Sequence, residues 1–139
     1  MMYRIFGDTI VARIDRGEEI VQSLKAICEK ENVGLASVTA LGAVGHAVVG
    51  LYRVGEKKYY SNTLDGEMEM TALTGNVTQK DGEVYLHLHA NFADAQGHVF
   101  GGHLNEAVVS ATCEMFIHTL KGSVGRRPDE ATGLNLFDM

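Results

Sequence analysis

Apolar and polar residues alternate along most of this chain, and one stretch breaks into a helical period. Residues 3–6 and 9–14 read as two short strands about a Gly7-Asp8 turn. Ile20, Val21, Leu24, Ile27 and Cys28 then recur at helical spacing, with Asp15 as the expected N-cap, Glu18 three residues on, and an end near Asn32, before Gly34. Residues 35–41 and 46–52 are β-prone. Between them, Gly42-Ala43-Val44-Gly45 suits a tight connection or a close backbone approach. Lys80-Asp81-Gly82-Glu83 carries the Asp-Gly signal of a hairpin, which predicts that 67–78 and 84–92 pair antiparallel. In the second of these, Val84, Leu86, Leu88, Ala90 and Phe92 share the apolar face and leave Tyr85, His87, His89 and Asn91 on the other. Residues 93–97 read as a loop and 98–104 as extended. The segment 107–120 is apolar, but its Val, Thr and Ile content and the period-2 set Val109, Ala111, Cys113, Met115 and Ile117 favour strand over helix. The pattern predicts an α+β domain with a central, mainly antiparallel sheet and flanking helices.

Composition narrows the class. The 139 residues, 45% of them hydrophobic, suit one domain, residues 1–139, with a sizeable core. Pro128 is the only proline, and neither a linker-like tract nor a 20–50 residue repeat divides the chain. The formal charge of -6 is spread over both halves, which argues against a strong autonomous DNA binder, because such affinity rests on basic groups displacing phosphate counterions. Cys28 and Cys113 read as buried free thiols rather than a disulfide framework. The apolar runs fall short of a membrane span, and the first residues lack the long apolar segment of a secretion signal. The expectation is a cytoplasmic protein without a membrane partner.

The candidate chemistry lies in His87-Leu88-His89 and Gly101-Gly102-His103. Residues two apart on a strand share a face, with Cα atoms about 6.5–7 Å apart, so two imidazoles converge on one point. The double glycine lets the backbone carrying His103 approach closely. From this pattern alone, a polar sheet face and a three-imidazole metal site both remain open. A metal there would be zinc, with a fourth position left for water or ligand, while nickel, copper or iron would also accept the donor set. His98 reads as a loop-edge residue, and His46 and His118 as packing or hydrogen-bonding groups. Asp94, Glu106 and Glu114 read first as solvated acids or, for Glu114, as a satisfied polar group within a strand, with an outer-shell or fourth-ligand role as the alternative; if chemistry exists, Glu114 is the first choice for moving a proton. The histidine pair, Asp94 and Gly101 approximate the spacing of the first cupin motif, but no second cupin motif follows. Neither a nucleophile elbow nor a Walker loop occurs, and Cys28 lies in the helix stripe.

Ala12-Arg13-Ile14-Asp15-Arg16-Gly17-Glu18-Glu19, Gly42-Ala43-Val44, Leu73-Thr74-Gly75-Asn76-Val77, the run from His87 to Leu104, and Arg126-Arg127-Pro128-Asp129-Glu130-Ala131-Thr132-Gly133-Leu134 occur in an order and spacing that resemble the plants-and-prokaryotes conserved (PPC) domain. The likeness covers nearly the whole chain. It implies an α+β fold, a homotrimer, and family histidines at His87, His89 and His103. Plant members join the domain to an AT-hook, Arg-Gly-Arg-Pro, and stand-alone prokaryotic members carry a DNA-binding label. Here Gly125-Arg126-Arg127-Pro128 has similar letters in another order, within the domain's own C-terminal segment, and is not an AT-hook. Two functions follow as expectations. One is a stand-alone PPC module, DNA-binding or regulatory, with a divalent-metal site. The other is a small metal-dependent enzyme that uses a zinc-activated water.

Overall fold

The computed structural model describes residues 1–139. Its elements run β1 (Met2–Phe6), β2 (Thr9–Asp15), α1 (Ile20–Lys30), β3 (Ala36–Arg53), β4 (Lys58–Lys80), β5 (Glu83–Ala93), β6 (Val99–Thr119), β7 (Gly125–Pro128) and β8 (Asn135–Asp138), with a 3-10 turn at Val54–Glu56. Six strands form one antiparallel sheet in the order β1-β2-β6-β3-β4-β5, and β7 and β8 make a separate hairpin. β5 also pairs with the start of β6, from His89 opposite His103 to Ala93 opposite Val99. Thus β6, β3, β4 and β5 close a ring of hydrogen-bonded neighbours, which removes the free edge at that end.

The expected α+β class with flanking helices is corrected by this architecture, which is 68% strand and 10% helix, with α1 its one α-helix. The reason is that glycines read as breaks lie inside long strands. All but the first residue of 35–41, and the whole of 46–52, belong to the single strand β3, whose register shifts beside Gly42 and between Val44 and His46 mark bulges. A Cβ at Gly42 would stand 2.3 Å from the carbonyl oxygen of Thr112, so close backbone approach, and not a connection, explains this glycine. In the same way 98–104 and 107–120 merge into β6, and 67–78 extends back to Lys58. The predicted hairpin is present, with φ 53° at Asp81 and 80° at Gly82, as a turn with two left-handed residues requires.

The helix begins later than its capping signal suggests. Asp15 closes β2, and the Glu18 carboxylate accepts the Asp15 N–H at 2.7 Å; the N-cap is Glu19, whose carboxylate accepts the N–H groups of Val21 and Gln22. The same Glu19 side chain accepts the N–H of Ala107 at 2.9 Å, tying the helix start to β6. Ile20, Leu24, Ile27 and Cys28 are buried, as their spacing predicts, and join a core of 25 hydrophobic residues between α1 and the sheet. Cys28 and Cys113 are both free and buried, and burial pushes each thiol up to about 12, so neither is a nucleophile at neutral pH. No helix is long and apolar enough to cross a membrane.

Candidate metal centre

The ring closure between β5 and β6 builds the site. His87 and His89 project from one face of β5, and the register sets His103 of β6 directly opposite His89 and, on its other side, opposite Gly50 of β3. Gly101 and Gly102 make the approach possible. A Cβ at Gly101 would lie 2.4 Å from the carbonyl oxygen of Ala90, and one at Gly102 would lie 2.6 Å from that of Gly50. The three imidazoles meet with ring centroids 5.1, 5.3 and 5.7 Å apart, and each offers a nitrogen within 4.8 Å of the other two.

Nε2 of His87 and Nε2 of His89 are 3.2 Å apart. Two nitrogens bound tetrahedrally to zinc at about 2.0–2.1 Å stand roughly 3.3 Å from each other, so the pair already has the spacing of two ligands on one ion. A third imidazole nitrogen and an open side complete a donor set that fits a divalent transition metal.

The electrostatics favour the ligating form of His87 and His103. Burial first, then the neighbouring imidazoles and Arg126, hold His87 below the ordinary histidine value; burial and then His89 do the same for His103. The native state therefore resists protons that the unfolded chain accepts. Stability from these two groups is complete above the unfolded value of 6.5 and is lost as pH falls through the lower native values. Urea midpoints of the metal-free protein are accordingly expected to drop below about pH 6.5, with much of that drop absent in the double variant His87→Gln/His103→Gln. Equal pH slopes for the two proteins would contradict the assignment. His46 acts in the opposite sense, since hydrogen bonding to Asp65 raises it, but its exposure makes the contribution small.

The other candidates lie elsewhere. His46 Nδ1 is 2.6 Å from Asp65 and its Nε2 is 3.5 Å from Glu106; His118 pairs with Thr9 Oγ1 at 3.0 Å. His98 sits 3.2 Å from Asp94, whose carboxylate also accepts the N–H groups of Gln96 and His98 and so shapes the β5–β6 loop. Glu114 is exposed on β6, opposite Leu41 and Arg13. Eleven residues of strand, about 36 Å, separate it from His103, so within one chain it does not serve the histidines.

Beside the cluster opens a cleft of about 520 Å³ lined by His87, His89 and His103 together with Tyr59, Tyr85 and Arg126 and the apolar side chains of Leu51, Leu134 and Leu136. No carboxylate lines it. The C-terminal hairpin, β7 and β8, forms one wall, and Arg126 fastens it to β4 by donating to Asn76 Oδ1 at 2.8 Å and Thr78 Oγ1 at 3.0 Å. This role of Arg126 was not evident from the sequence.

Residues 1–121 match the family model of the Plants and Prokaryotes Conserved (PCC) domain. A crystal structure from Bacteroides thetaiotaomicron, named a candidate DNA-binding protein, is 28% identical with a TM-score of 0.96, over 99% of this chain and 96% of that one. A metal-containing protein from Archaeoglobus fulgidus is 33% identical with a TM-score of 0.90, over 100% of this chain and 99% of its own. Among curated proteins, the bifunctional protein GlmU of Synechococcus sp. (strain JA-3-3Ab) is 32% identical over 124 residues; the match takes 87% of this chain but spans only 19% of that longer protein.

Proposed function

The chain belongs to the Plants and Prokaryotes Conserved domain family, and on that premise we propose that it is a metal-dependent binding or regulatory module in which His87, His89 and His103 hold a divalent ion, zinc first among the choices. The convergence of three imidazole nitrogens at the floor of a cleft carries this reading. The Archaeoglobus relative, named for its metal content, supports it. With three protein nitrogens, zinc keeps a fourth position for water or a ligand oxygen. The chain's own residues supply the neutral imidazoles, the walls and one positive charge. The alternative, hydrolysis by an activated water, has less support, because the cleft offers no carboxylate to take the proton and Glu114 is remote.

Cobalt(II) titration of the metal-free protein, followed by azide, tests the open site. The expected result is one equivalent per chain, an intense visible band, and a shift of that band on adding azide. A weak, six-coordinate spectrum or a band indifferent to azide would contradict an open three-histidine site.

The proposal includes the homotrimer implied by the family resemblance. Leu41 and Phe116, exposed by 55% and 45% on neighbouring strands, and Val99 and Phe100 on β6 supply apolar surface for subunit contact. A DNA-binding role is the second reading, brought by the Bacteroides relative. The charge of -6 weighs against it. Titration with A/T-rich duplex at two salt concentrations decides the matter: binding that weakens steeply with salt supports DNA as a partner, and none at low salt removes it for the isolated chain.

A further inference from the structure

We infer that Arg126 is a ligand-recognising residue of this cleft, and that the cleft takes a small organic acid whose carboxylate meets the guanidinium while an oxygen at its other end meets the metal. This deepens the metal-site reading and rests on it. The first support is that Arg126 has no acidic partner. Arg13, Arg53 and Arg127 pair with Asp15, Glu56 and Asp138, and Arg4 and Arg16 stand exposed to water, whereas the half-buried Arg126 donates only to neutral acceptors: Asn76 Oδ1, Thr78 Oγ1 and, at 3.1 Å, the carbonyl oxygen of Asn135. A guanidinium carries five N–H donors, so these bonds leave two uncommitted. A half-buried cation in a cleft without carboxylates lacks a counter-charge, which an incoming anion supplies.

The second support is orientation. The guanidinium lies 5.0 Å from the Tyr85 ring centroid and 4.3 Å from that of Phe137, and these contacts, with the three hydrogen bonds, hold its plane. A clamp so fixed meets a planar carboxylate with little further loss of freedom. The third is position. Asn76, which holds Arg126, is the cross-strand partner of His87, and Tyr85 precedes His87 by two residues on the same face of β5. Along a strand that step is about 7 Å, a span that a short carbon chain bridges.

The walls select the class. Leu51, Leu134 and Leu136 offer apolar surface to a hydrocarbon middle. The lining includes no helix N-terminus, and Arg126 is its one cation, so it lacks the convergent donors with which phosphate sites are usually built. The volume of about 520 Å³ suits a small molecule and not a polymer.

The test uses full-length protein loaded with cobalt(II), in wild-type, Arg126→Gln and Arg126→Lys forms. Metal content is measured first, then binding of succinate, 3-hydroxybutyrate, butyrate and inorganic phosphate by the visible band and by calorimetry. Wild type is expected to bind succinate or 3-hydroxybutyrate more tightly than butyrate, which lacks the second oxygen function. Arg126→Gln is expected to keep its metal and weaken the preferred acid about 10- to 100-fold, the scale of losing charge-assisted hydrogen bonds. Arg126→Lys, which keeps the charge and tests the fork if the glutamine variant does not fold, is expected to weaken it several-fold. Equal affinity in all three forms, or no organic acid bound by metal-loaded wild type, overturns the role of Arg126 while leaving the metal site standing. Phosphate as the tightest Arg126-dependent ligand overturns the carboxylate assignment, and failure of wild type to take up metal overturns both readings.

Discussion

His103→Ala is expected to abolish metal retention through dialysis, whereas His98→Ala, five residues earlier on the approach to the same strand, leaves it unchanged. His103 supplies one of only three converging nitrogens and sits directly opposite His89 across the β5–β6 pairing. Its removal should lower affinity by more than the roughly 10- to 100-fold associated with losing an outer-shell partner, because a ligand itself is lost. The fold should survive. His103 is only half-buried at the cleft surface, so truncation leaves no sealed core cavity, and the metal-free melting temperature should stay close to wild type. His98 contacts Asp94 instead, and its loss touches only the loop. Metal analysis after dialysis, with circular dichroism as the check on folding, separates the two variants. Equal metal content in both would refute the ligand set.

Gly75→Ala is expected to damage stability and metal binding together. Gly75 of β4 lies opposite Leu88, between the two ligands of β5, and a Cβ there would stand 2.1 Å from the carbonyl oxygen of His87 and 2.9 Å from the Cα of Leu88. Both are backbone atoms, so no side-chain rotation relieves the clash. β5 must move away from β4, carrying His87 and His89 with it. The expected cost is at the upper end of the roughly 1–3 kcal/mol of overpacking substitutions, read as a lower urea midpoint, together with weaker metal affinity. Gly55→Ala, where an added Cβ meets nothing within 4 Å, serves as the neutral control. A Gly75→Ala protein as stable as the control would show that the strands have slack where none is inferred.

These two positions also show what the sequence disclosed. The period-2 pattern of β5 placed His87 and His89 on one face, and the glycines before His103 announced a close approach; both signals are local. The register that sets His103 opposite His89 comes from closure of the ring, to which residues fourteen apart and the whole of β3 and β4 contribute, and no local pattern states it. Long strands were hidden for a related reason. Glycines at 42 and 45 look like punctuation in one dimension, but in three Gly42 admits the backbone of β6 and Gly45 sits at a bulge, and of the expected flanking helices only α1 is present. Glu18 misled because its carboxylate does accept the Asp15 N–H, half of a capping box, on a turn that precedes the helix rather than on the helix itself.

Arg126 was legible only as a failed AT-hook. Its partners Asn76 and Thr78 lie 50 and 48 residues away, and only Asn76 falls in the run Leu73-Thr74-Gly75-Asn76-Val77 that carries the family resemblance. Glu114 erred in the other direction: an acid on a strand that also carries a ligand looks close in sequence, but an extended chain puts eleven residues about 36 Å apart. Strand geometry separates what helical geometry would have brought near.

We propose that three imidazoles of this chain, His87, His89 and His103, hold one metal ion. The most direct test is elemental analysis of untagged wild-type protein, purified without added metal, dialysed against metal-free buffer and quantified per chain. About one divalent transition-metal ion per chain is expected, with zinc foremost, as three converging nitrogen ligands with an open fourth position require. No more than trace metal, together with failure to take up an equivalent of zinc or cobalt on titration, would contradict it.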